Sequence, residues 1–126
     1  LSYDDFKLRW TSNKIEELPT VQCLSKLKEK YHLYIISNTS EAHISSLRKE
    51  FKLFENFEKI ITSEAAHSSK PSLEIFDYAL NTTGAVAETS IFIDDISSNV
   101  GVAKAIGLTT HHYKNFEEFD TFISSL

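Results

Sequence analysis

Two adjacent carboxylates stand out in the second half of the sequence, where the apolar run "SIFI" leads directly into Asp94 and Asp95. Like charges side by side repel each other, and a divalent cation held between them removes that repulsion. Mg²⁺ suits such a pair because it prefers oxygen ligands, takes one or two carboxylates from the protein, and completes its octahedron with water and phosphate oxygens. The pair therefore predicts half of a magnesium site, while a second interpretation makes Asp95 the cap of the helix that follows.

A second group of polar side chains has the chemistry to hold an anion. Ser37 and Asn38 follow the apolar run "LYII", and a hydroxyl and an amide at the start of a helix can donate hydrogen bonds to phosphate. Lys70 adds a compact positive charge that binds the same anion and offsets nearby carboxylates. Taken one at a time, these residues are also explained as a helix cap and a solvated surface lysine. Their combination with the acidic pair predicts a phosphate site beside the magnesium site.

Short apolar runs alternate with segments of helical periodicity, which is typical of a parallel sheet covered by helices. Because β-branched residues follow one another in the runs, we predict strands at residues 33–37, 59–63 and 90–94, and a weaker fourth at residues 108–113. Ligands bind beyond the carboxyl ends of parallel strands, so the polar groups should share one edge of the sheet. The helical stripes predicted to face the sheet are Val21/Leu24/Leu27, Ile44/Leu47/Phe51, Leu73/Phe76/Leu80 and Phe116/Phe119/Ile123.

Composition narrows the class of partner. The chain has 126 residues, enough for one domain with a core, and its net charge of −5 is spread over interspersed signs. No block of Lys and Arg indicates nucleic-acid binding, and no apolar stretch is long enough to predict a membrane span. We therefore expect a small-molecule partner, with no nucleic acid and no membrane. The single cysteine, Cys23, is most simply a small core residue and favours a reducing, cytoplasmic location.

The histidines give no metal-binding pattern. His111 and His112 are adjacent, so on a strand they point to opposite faces and cannot both bind one ion. His67 lies three residues before Lys70, where it either lines the site or occupies an ordinary loop position.

Three segments in order resemble the second, third and fourth signature motifs of the haloacid dehalogenase-like hydrolases: "IISNTSEAH", "SSKPSLEIFDYAL" and "SIFIDDISSNVGVAKAIG". The resemblance covers nearly the whole chain and is closest to members with a helical cap inserted before the second motif. It implies an α/β, Rossmann-like, three-layer α/β/α fold with a mostly parallel sheet. It also implies that residues 1–17 are the end of a helical cap and that residues 18–126 are the core without its first strand.

The resemblance assigns roles residue by residue. It implies that Ser37 and Asn38 bind the transferring phosphoryl group and that Lys70, the catalytic lysine, orients that group and the nucleophile. It further implies that the adjacent carboxylates hold Mg²⁺ as the cofactor and that Asn99 supports the acidic loop. The loop before the lysine reads "AAHSSKPS" where relatives commonly carry glycine, a basic residue and Lys-Pro-Asp, so we expect its geometry to differ.

One motif of the family is absent from the sequence. The first motif, Asp-x-Asp at the end of the first strand, supplies the nucleophile and the general acid/base, and no Asp-x-Asp occurs in these 126 residues. We therefore expect the chain to be a carboxyl-terminal portion of a longer hydrolase, inactive alone. The resemblance puts the missing strand between the strands that bear Ser37 and Asp94. Without it, these two strands should pair directly, or self-association should fill the gap.

The function predicted for the parent protein is Mg²⁺-dependent hydrolysis of a small phosphorylated metabolite, such as a sugar phosphate, through an aspartyl-phosphate intermediate. Other interpretations compete with it. A catalytically inactive binding or regulatory protein of the same family would explain the missing motif. A haloacid dehalogenase works without a metal, and the paired acids argue against it. A receiver domain has its acids first and its lysine last, the reverse of the order in this chain.

Overall fold

Four short strands alternate with helices in residues 24–126, the part of the chain that the structure, a computed structural model, describes. The elements are α1 (Leu24–Lys30), β1 (Tyr34–Ser37), α2 (Glu41–Glu50), β2 (Lys59–Thr62), α3 (Ser63–Ala66), α4 (Leu73–Thr83), β3 (Ile91–Asp94), α5 (Ser97–Ala105), β4 (Thr109–His112) and α6 (Phe116–Ser124), with short 3₁₀ turns at Lys52–Asn56 and Ala87–Thr89. Within that part, no helix has both the length and the apolar surface that a membrane crossing requires. The predicted cap remnant, residues 1–17, lies outside the described residues, as do Val21 and Cys23.

All four predicted strands are confirmed, each shorter by one residue at one or both ends. β1 pairs in parallel with β2, and β3 pairs in parallel with β4. A parallel pair needs a crossover connection, and helices α2 and α5 lie within the two crossovers. The register aligns Ser37 with Thr62 and Asp94 with His112 at the carboxyl ends of the strands. The described residues therefore have the α/β, Rossmann-like fold that was predicted.

The strands form two two-stranded sheets, with the orders β1-β2 and β3-β4. The expectation that the strand bearing Ser37 pairs directly with the strand bearing Asp94 is therefore wrong for the described residues. Residues of both strands line a cavity of about 640 Å³, among them Ile36 of β1 and Phe92 of β3, together with Phe76 of α4. β1 and β3 are therefore not neighbours in one hydrogen-bonded ladder.

Two apolar clusters hold the two sheets together. One contains Ile35 of β1 and Ile93 of β3, and the other contains Ile36 and Phe92 of the same strands. Consecutive residues of a strand point to opposite faces, so the two clusters lie on opposite sides of the sheets. Phe76 of α4 meets the Phe92 ring nearly edge-on, with 5.1 Å between the ring centroids. This packing fixes the polar ends of β1 and β3 relative to each other.

Helix α4 buries only part of the predicted stripe. Its buried residues are Ile75, Phe76 and Ala79, while Leu73 is 48% exposed. The prediction for Leu73 is wrong because residues two apart on a helix do not share a face, and burial of Ile75 turns Leu73 outward. The other described stripes contribute buried residues as predicted: Leu24 and Leu27 from α1, Ile44 from α2 and Phe119 from α6.

Candidate active site

Strands β1 and β3 each end in a buried polar residue. Ser37 is the last residue of β1 and Asp94 is the last residue of β3, with exposed fractions of 1% and 4%. Buried apolar residues precede both positions, so the packing of the strands carries the two polar side chains into the interior. A buried carboxylate needs hydrogen-bond partners, and for Asp94 they come from loops and helices beyond the strand ends.

The backbone of Lys70 is held by the residue that follows β1. The Lys70 N–H donates to Asn38 Oδ1 over 2.8 Å, and Asn38 Nδ2 donates to the Lys70 carbonyl oxygen over 3.2 Å. The alternative that Asn38 caps the next helix is wrong, because the N-cap of α2 is Ser40, whose hydroxyl accepts from the His43 N–H over 3.1 Å. The Asn38 amide instead joins two segments that lie 32 residues apart in the sequence.

The side chain of Lys70 reaches the second sheet. Its Nζ donates to Asp94 Oδ2 over 3.2 Å, and both side chains are fully buried. Nζ also lies 6.0 Å from the centroid of the Phe92 ring, at the limit of a cation–π contact. At this separation two opposite charges attract by about 5 kcal/mol for an effective dielectric constant of about 20, and much of that attraction offsets their lost hydration. The alternative of a solvated surface lysine is therefore wrong for Lys70.

Three donors orient the Asp94 carboxylate. Lys70 Nζ and Asn99 Nδ2 both donate to Oδ2, the latter over 3.0 Å. The Ile96 N–H donates to Oδ1, also over 3.0 Å. Asn99 lies in α5, is itself buried and contacts the acidic loop directly, where the sequence predicts a supporting residue. Hydrogen bonds to both oxygens restrict rotation of the carboxylate.

Asp95 differs from its neighbour in exposure. Its side chain lies at the surface, where solvent reaches it. Helix α5 begins at Ser97 with Ile96 in the N-cap position, so the interpretation of Asp95 as the cap residue is wrong. The acidic pair thus combines one buried, oriented carboxylate with one solvent-exposed carboxylate.

The oxygen donors at this edge fit part of a magnesium site. Asp94 and Asp95 provide two hard carboxylate ligands, a number that Mg²⁺ commonly takes from a protein. Among residues 24–126, no group of three or more His, Cys, Asp or Glu side chains could hold a metal ion. A magnesium ion at this position would complete its shell with water, phosphate oxygens or ligands from outside these residues.

The Ser37 hydroxyl has no hydrogen-bond partner among the described residues, although its Oγ is buried. Leaving a buried hydroxyl unsatisfied costs about 1–3 kcal/mol, so such groups are rare in folded proteins. The register partner Thr62 is also fully buried, but its hydroxyl accepts the Ala65 N–H over 3.0 Å. This contrast makes Ser37 Oγ a candidate donor to an anion at the same edge.

One contact of the acidic loop was not predicted. His112 Nε2 lies 2.8 Å from the Asp95 carbonyl oxygen, while His111 stacks on Phe122 with 4.7 Å between the ring centroids. The parallel register of β3 and β4 was the signal that could have revealed this contact, because it aligns the carboxyl ends of the two strands. His67 is exposed at the end of α3, where its φ is 54°.

Comparison with known proteins finds a family model and a curated relative that match this sequence. A family model for haloacid dehalogenase-like hydrolases matches residues 3–112. A curated relative, D-ribitol-5-phosphate phosphatase of Bacteroides thetaiotaomicron, is 28% identical over 123 residues, and the match covers 91% of this chain and 59% of that relative.

Solved structures of haloacid dehalogenase family proteins also match this chain. A haloacid dehalogenase family enzyme from Bacteroides thetaiotaomicron, in complex with magnesium and inorganic phosphate, has 30% identity and a TM-score of 0.67, covering 91% of this chain and 55% of that chain. A predicted haloacid dehalogenase-like family hydrolase from Porphyromonas gingivalis has 26% identity and a TM-score of 0.71, and the match covers 84% of this chain and 55% of that chain. The present chain therefore spans somewhat more than half the length of these three proteins.

Proposed function

This chain belongs to the haloacid dehalogenase-like hydrolases, and on that premise we propose that the whole protein is a Mg²⁺-dependent phosphatase. It hydrolyses a small phosphate ester through an aspartyl-phosphate intermediate. The phosphate ligands in this proposal are Ser37, Asn38 and Lys70, and the metal ligands are Asp94 and Asp95. Phosphatase activity and magnesium binding in the matched relatives support the proposal.

The observation that carries the proposal is the attachment of Lys70 to both sheets. Its backbone is bonded to Asn38 beyond β1, and its ammonium group is bonded to Asp94 beyond β3. The lysine is therefore fixed near the carboxyl ends of the strands that bear the proposed phosphate and metal ligands. A fixed, buried positive charge stabilises the negative charge that spreads over the phosphoryl oxygens during transfer, without the cost of reorganising a mobile side chain.

The proposed reaction has two steps. One aspartate of the Asp-x-Asp motif attacks phosphorus through a carboxylate oxygen, while the second, as general acid, gives its proton to the ester oxygen, so that the bond between phosphorus and this oxygen breaks and the alcohol leaves. The second aspartate then takes a proton from water, which attacks the aspartyl-phosphate, releases inorganic phosphate and regenerates the nucleophilic carboxylate.

The residues of this chain bind and orient the phosphoryl group in both steps. Ser37 Oγ donates to a phosphoryl oxygen, which would satisfy a hydroxyl that has no partner in the described residues. Asn38 keeps the backbone of Lys70 in place, and Asn99 keeps the carboxylate of Asp94 in one orientation. When bound by the acidic pair, Mg²⁺ supplies Lewis-acid neutralisation of phosphate charge.

In this proposal the nucleophilic aspartate lies on a strand from outside these 126 residues, seated between β1 and β3. One residue of a central strand fills a space of about 4.8 Å between strands, about 10 Å between layers and about 3.3 Å along the strand, or about 160 Å³. The cavity that residues of β1 and β3 line has a volume of about 640 Å³, which exceeds this value, so it has room for part of a strand. β1 and β3 each have 4 residues, so the available length also suits a neighbouring strand.

A phosphorylated sugar is the proposed substrate class. D-ribitol-5-phosphate, which names a matched relative, is a small phosphate ester of this kind and supports the choice. The cytoplasmic location predicted from the single cysteine is retained as part of the same proposal.

Turnover of an aryl phosphate by the protein expressed from its full reading frame tests the proposal. We expect turnover that requires Mg²⁺ and falls roughly hundredfold or more in Asp94→Asn, because the variant loses the oriented charge at the metal site. Asp77→Asn is the matched control, since Asp77 is exposed on α4 and its removal should leave turnover unchanged.

Equal Mg²⁺-dependent turnover by the wild type and Asp94→Asn would refute the assignment. Turnover of a haloacid that persists in EDTA would favour a dehalogenase instead. If the full reading frame contains no strand ending in Asp-x-Asp and the protein turns over no phosphate ester, an inactive binding protein of the same family is the better explanation.

A further inference from the structure

The carbonyl group of Asp95 is held from the neighbouring strand. His112 is the last residue of β4, and its Nε2 lies 2.8 Å from the Asp95 carbonyl oxygen. A carbonyl oxygen can only accept a hydrogen bond, so the ring must carry a hydrogen on Nε2 and donate it. The chain at the end of β4 makes a second contact one peptide earlier, where the Tyr113 N–H donates to the Asp94 carbonyl oxygen over 2.8 Å.

The peptide group held by His112 contacts the Asp94 carboxylate at its other end. The peptide between Asp95 and Ile96 is trans, so its carbonyl oxygen and its N–H point in opposite directions within one plane. The oxygen points to His112, and the N–H donates to Asp94 Oδ1 over 3.0 Å. A rotation of this plane that moved the oxygen away from His112 would also turn the N–H away from the carboxylate.

We propose that His112 is a positioning residue, which fixes the orientation of the Asp94 carboxylate through the peptide group between Asp95 and Ile96. It acts on Oδ1, whereas Lys70 donates to Oδ2, so the two contacts oppose rotation of the carboxylate from opposite oxygens. The inference rests on the proposed function, because the orientation of this carboxylate affects catalysis only if the carboxylate binds Mg²⁺.

The two hydrogen bonds of this peptide group also strengthen each other. Donation from His112 to the carbonyl oxygen polarises the peptide, and a polarised peptide has a more strongly donating N–H. Loss of the histidine should therefore weaken the contact between the Ile96 N–H and the Asp94 carboxylate, even though His112 touches neither atom.

Amide hydrogen exchange of the ¹⁵N-labelled protein from its full reading frame, measured without any metal, tests this geometry. In His112→Ala we expect the Ile96 amide to exchange about threefold to tenfold faster, the change expected from loss of one hydrogen bond. In His112→Gln the rate should return to within about twofold of the wild type, because a glutamine amide can donate to the same carbonyl oxygen. The Tyr113 amide is the internal control for strand pairing, and His43→Ala, at an exposed position on α2, is the control variant.

Three outcomes of this experiment would overturn the proposal. One is an Ile96 exchange rate that is the same in the wild type and His112→Ala. Another is equal acceleration of the Ile96 and Tyr113 amides, which would mean that the histidine merely supports β4. The third is a ¹⁵N spectrum in which the neutral His112 ring carries its hydrogen on Nδ1.

Magnesium titration calorimetry of the protein from its full reading frame separates this inference from the proposed function. We expect the Kd for Mg²⁺ to rise about threefold to tenfold in His112→Ala and to recover in His112→Gln. If the wild type binds no Mg²⁺, the phosphatase proposal fails, while the exchange rates still decide the role of His112. If the wild type and His112→Ala bind Mg²⁺ equally, the positioning role fails and the phosphatase proposal stands.

Discussion

Two buried hydroxyls at the carboxyl ends of β1 and β2 should respond in opposite ways to their removal. Ser37 and Thr62 are register partners, with exposed fractions of 1% and 0%. Ser37 Oγ has no partner among the described residues, whereas the Thr62 hydroxyl accepts the Ala65 N–H at the start of α3. The pair therefore separates a hydroxyl that stabilises the fold from one that is available for binding.

The expected magnitudes follow from these contacts. Ser37→Ala removes a hydroxyl whose burial without a partner costs about 1–3 kcal/mol, and the small void left behind offsets part of the gain. We expect this variant to be more stable by about 1 kcal/mol, which raises Tm by about 4–6 °C for a domain of this size. Thr62→Val keeps the side-chain shape but removes the acceptor for an amide, so we expect a loss of about 1–2 kcal/mol.

Urea unfolding of this chain, followed by circular dichroism, measures both changes in the free energy of unfolding. In the protein from its full reading frame, Ser37→Ala should also weaken binding of inorganic phosphate by about tenfold to hundredfold, the value of one hydrogen bond to a charged group. A Ser37→Ala variant that is less stable than the wild type by about 1 kcal/mol or more would refute the reasoning, because it would mean that the hydroxyl makes a stabilising bond.

The free energy of unfolding should also depend on pH through His111, which packs against α6. Burial lowers the pKa of the His111 ring, the charge of Glu118 opposes this shift, and His112 adds to it. A base with a lowered pKa binds fewer protons in the folded state, so its contribution should be complete above about pH 6.5 and lost as the pH falls through the folded-state pKa. Urea midpoints measured across this pH range should therefore fall as the pH falls. The same dependence on pH in His111→Leu would show that His111 does not cause it. At Gly84 and Gly101 an added Cβ would have no atom within 4 Å. Gly84→Ala should lower the free energy of unfolding by about 1 kcal/mol because φ is +75° at this position, whereas Gly101→Ala inside α5 should raise it by about 0.5–1 kcal/mol. Thermal unfolding that moves Tm in the same direction for both glycine variants would contradict this expectation.

Local sequence patterns were sufficient to predict the strands and the polar residues at their ends. A strand that is buried on both faces requires a continuous apolar run, and such runs locate β1 and β3 to within one residue. Ser37 and Asp94 are the positions at which these runs stop, so the same pattern also indicates where polar side chains enter the interior. Gly84 is the C-cap of α4, because the left-handed conformation at this position favours glycine.

Contacts between distant segments were not predictable in the same way. Asn38 fits a local capping pattern, but the backbone of Lys70, 32 residues away, bonds to its amide, and Ser40 takes the cap position. Leu73 fits the predicted helical stripe, but α4 buries Ile75 and Ala79 beside Phe76, and this orientation exposes Leu73. The separation of the two sheets was missed because a list of strands contains no information on which edges pair. In each case, contacts between segments that are distant in the sequence determine the structure, and the local sequence pattern does not contain them.

Two energetically unfavourable features coincide at one edge of the fold. Lys70 and Asp94 form a fully buried ion pair, and replacement of such a pair by apolar residues of similar volume is often neutral or stabilising. Ser37 Oγ is buried without a partner in the described residues, which selection for stability alone would not retain. The adjacent hydroxyl of Thr62 is satisfied, so poor packing of the whole edge does not explain the difference. Departures from the rules of stable folding concentrate at functional sites. Their coincidence near Lys70 is therefore the physical reason to look for a bound phosphate at this edge.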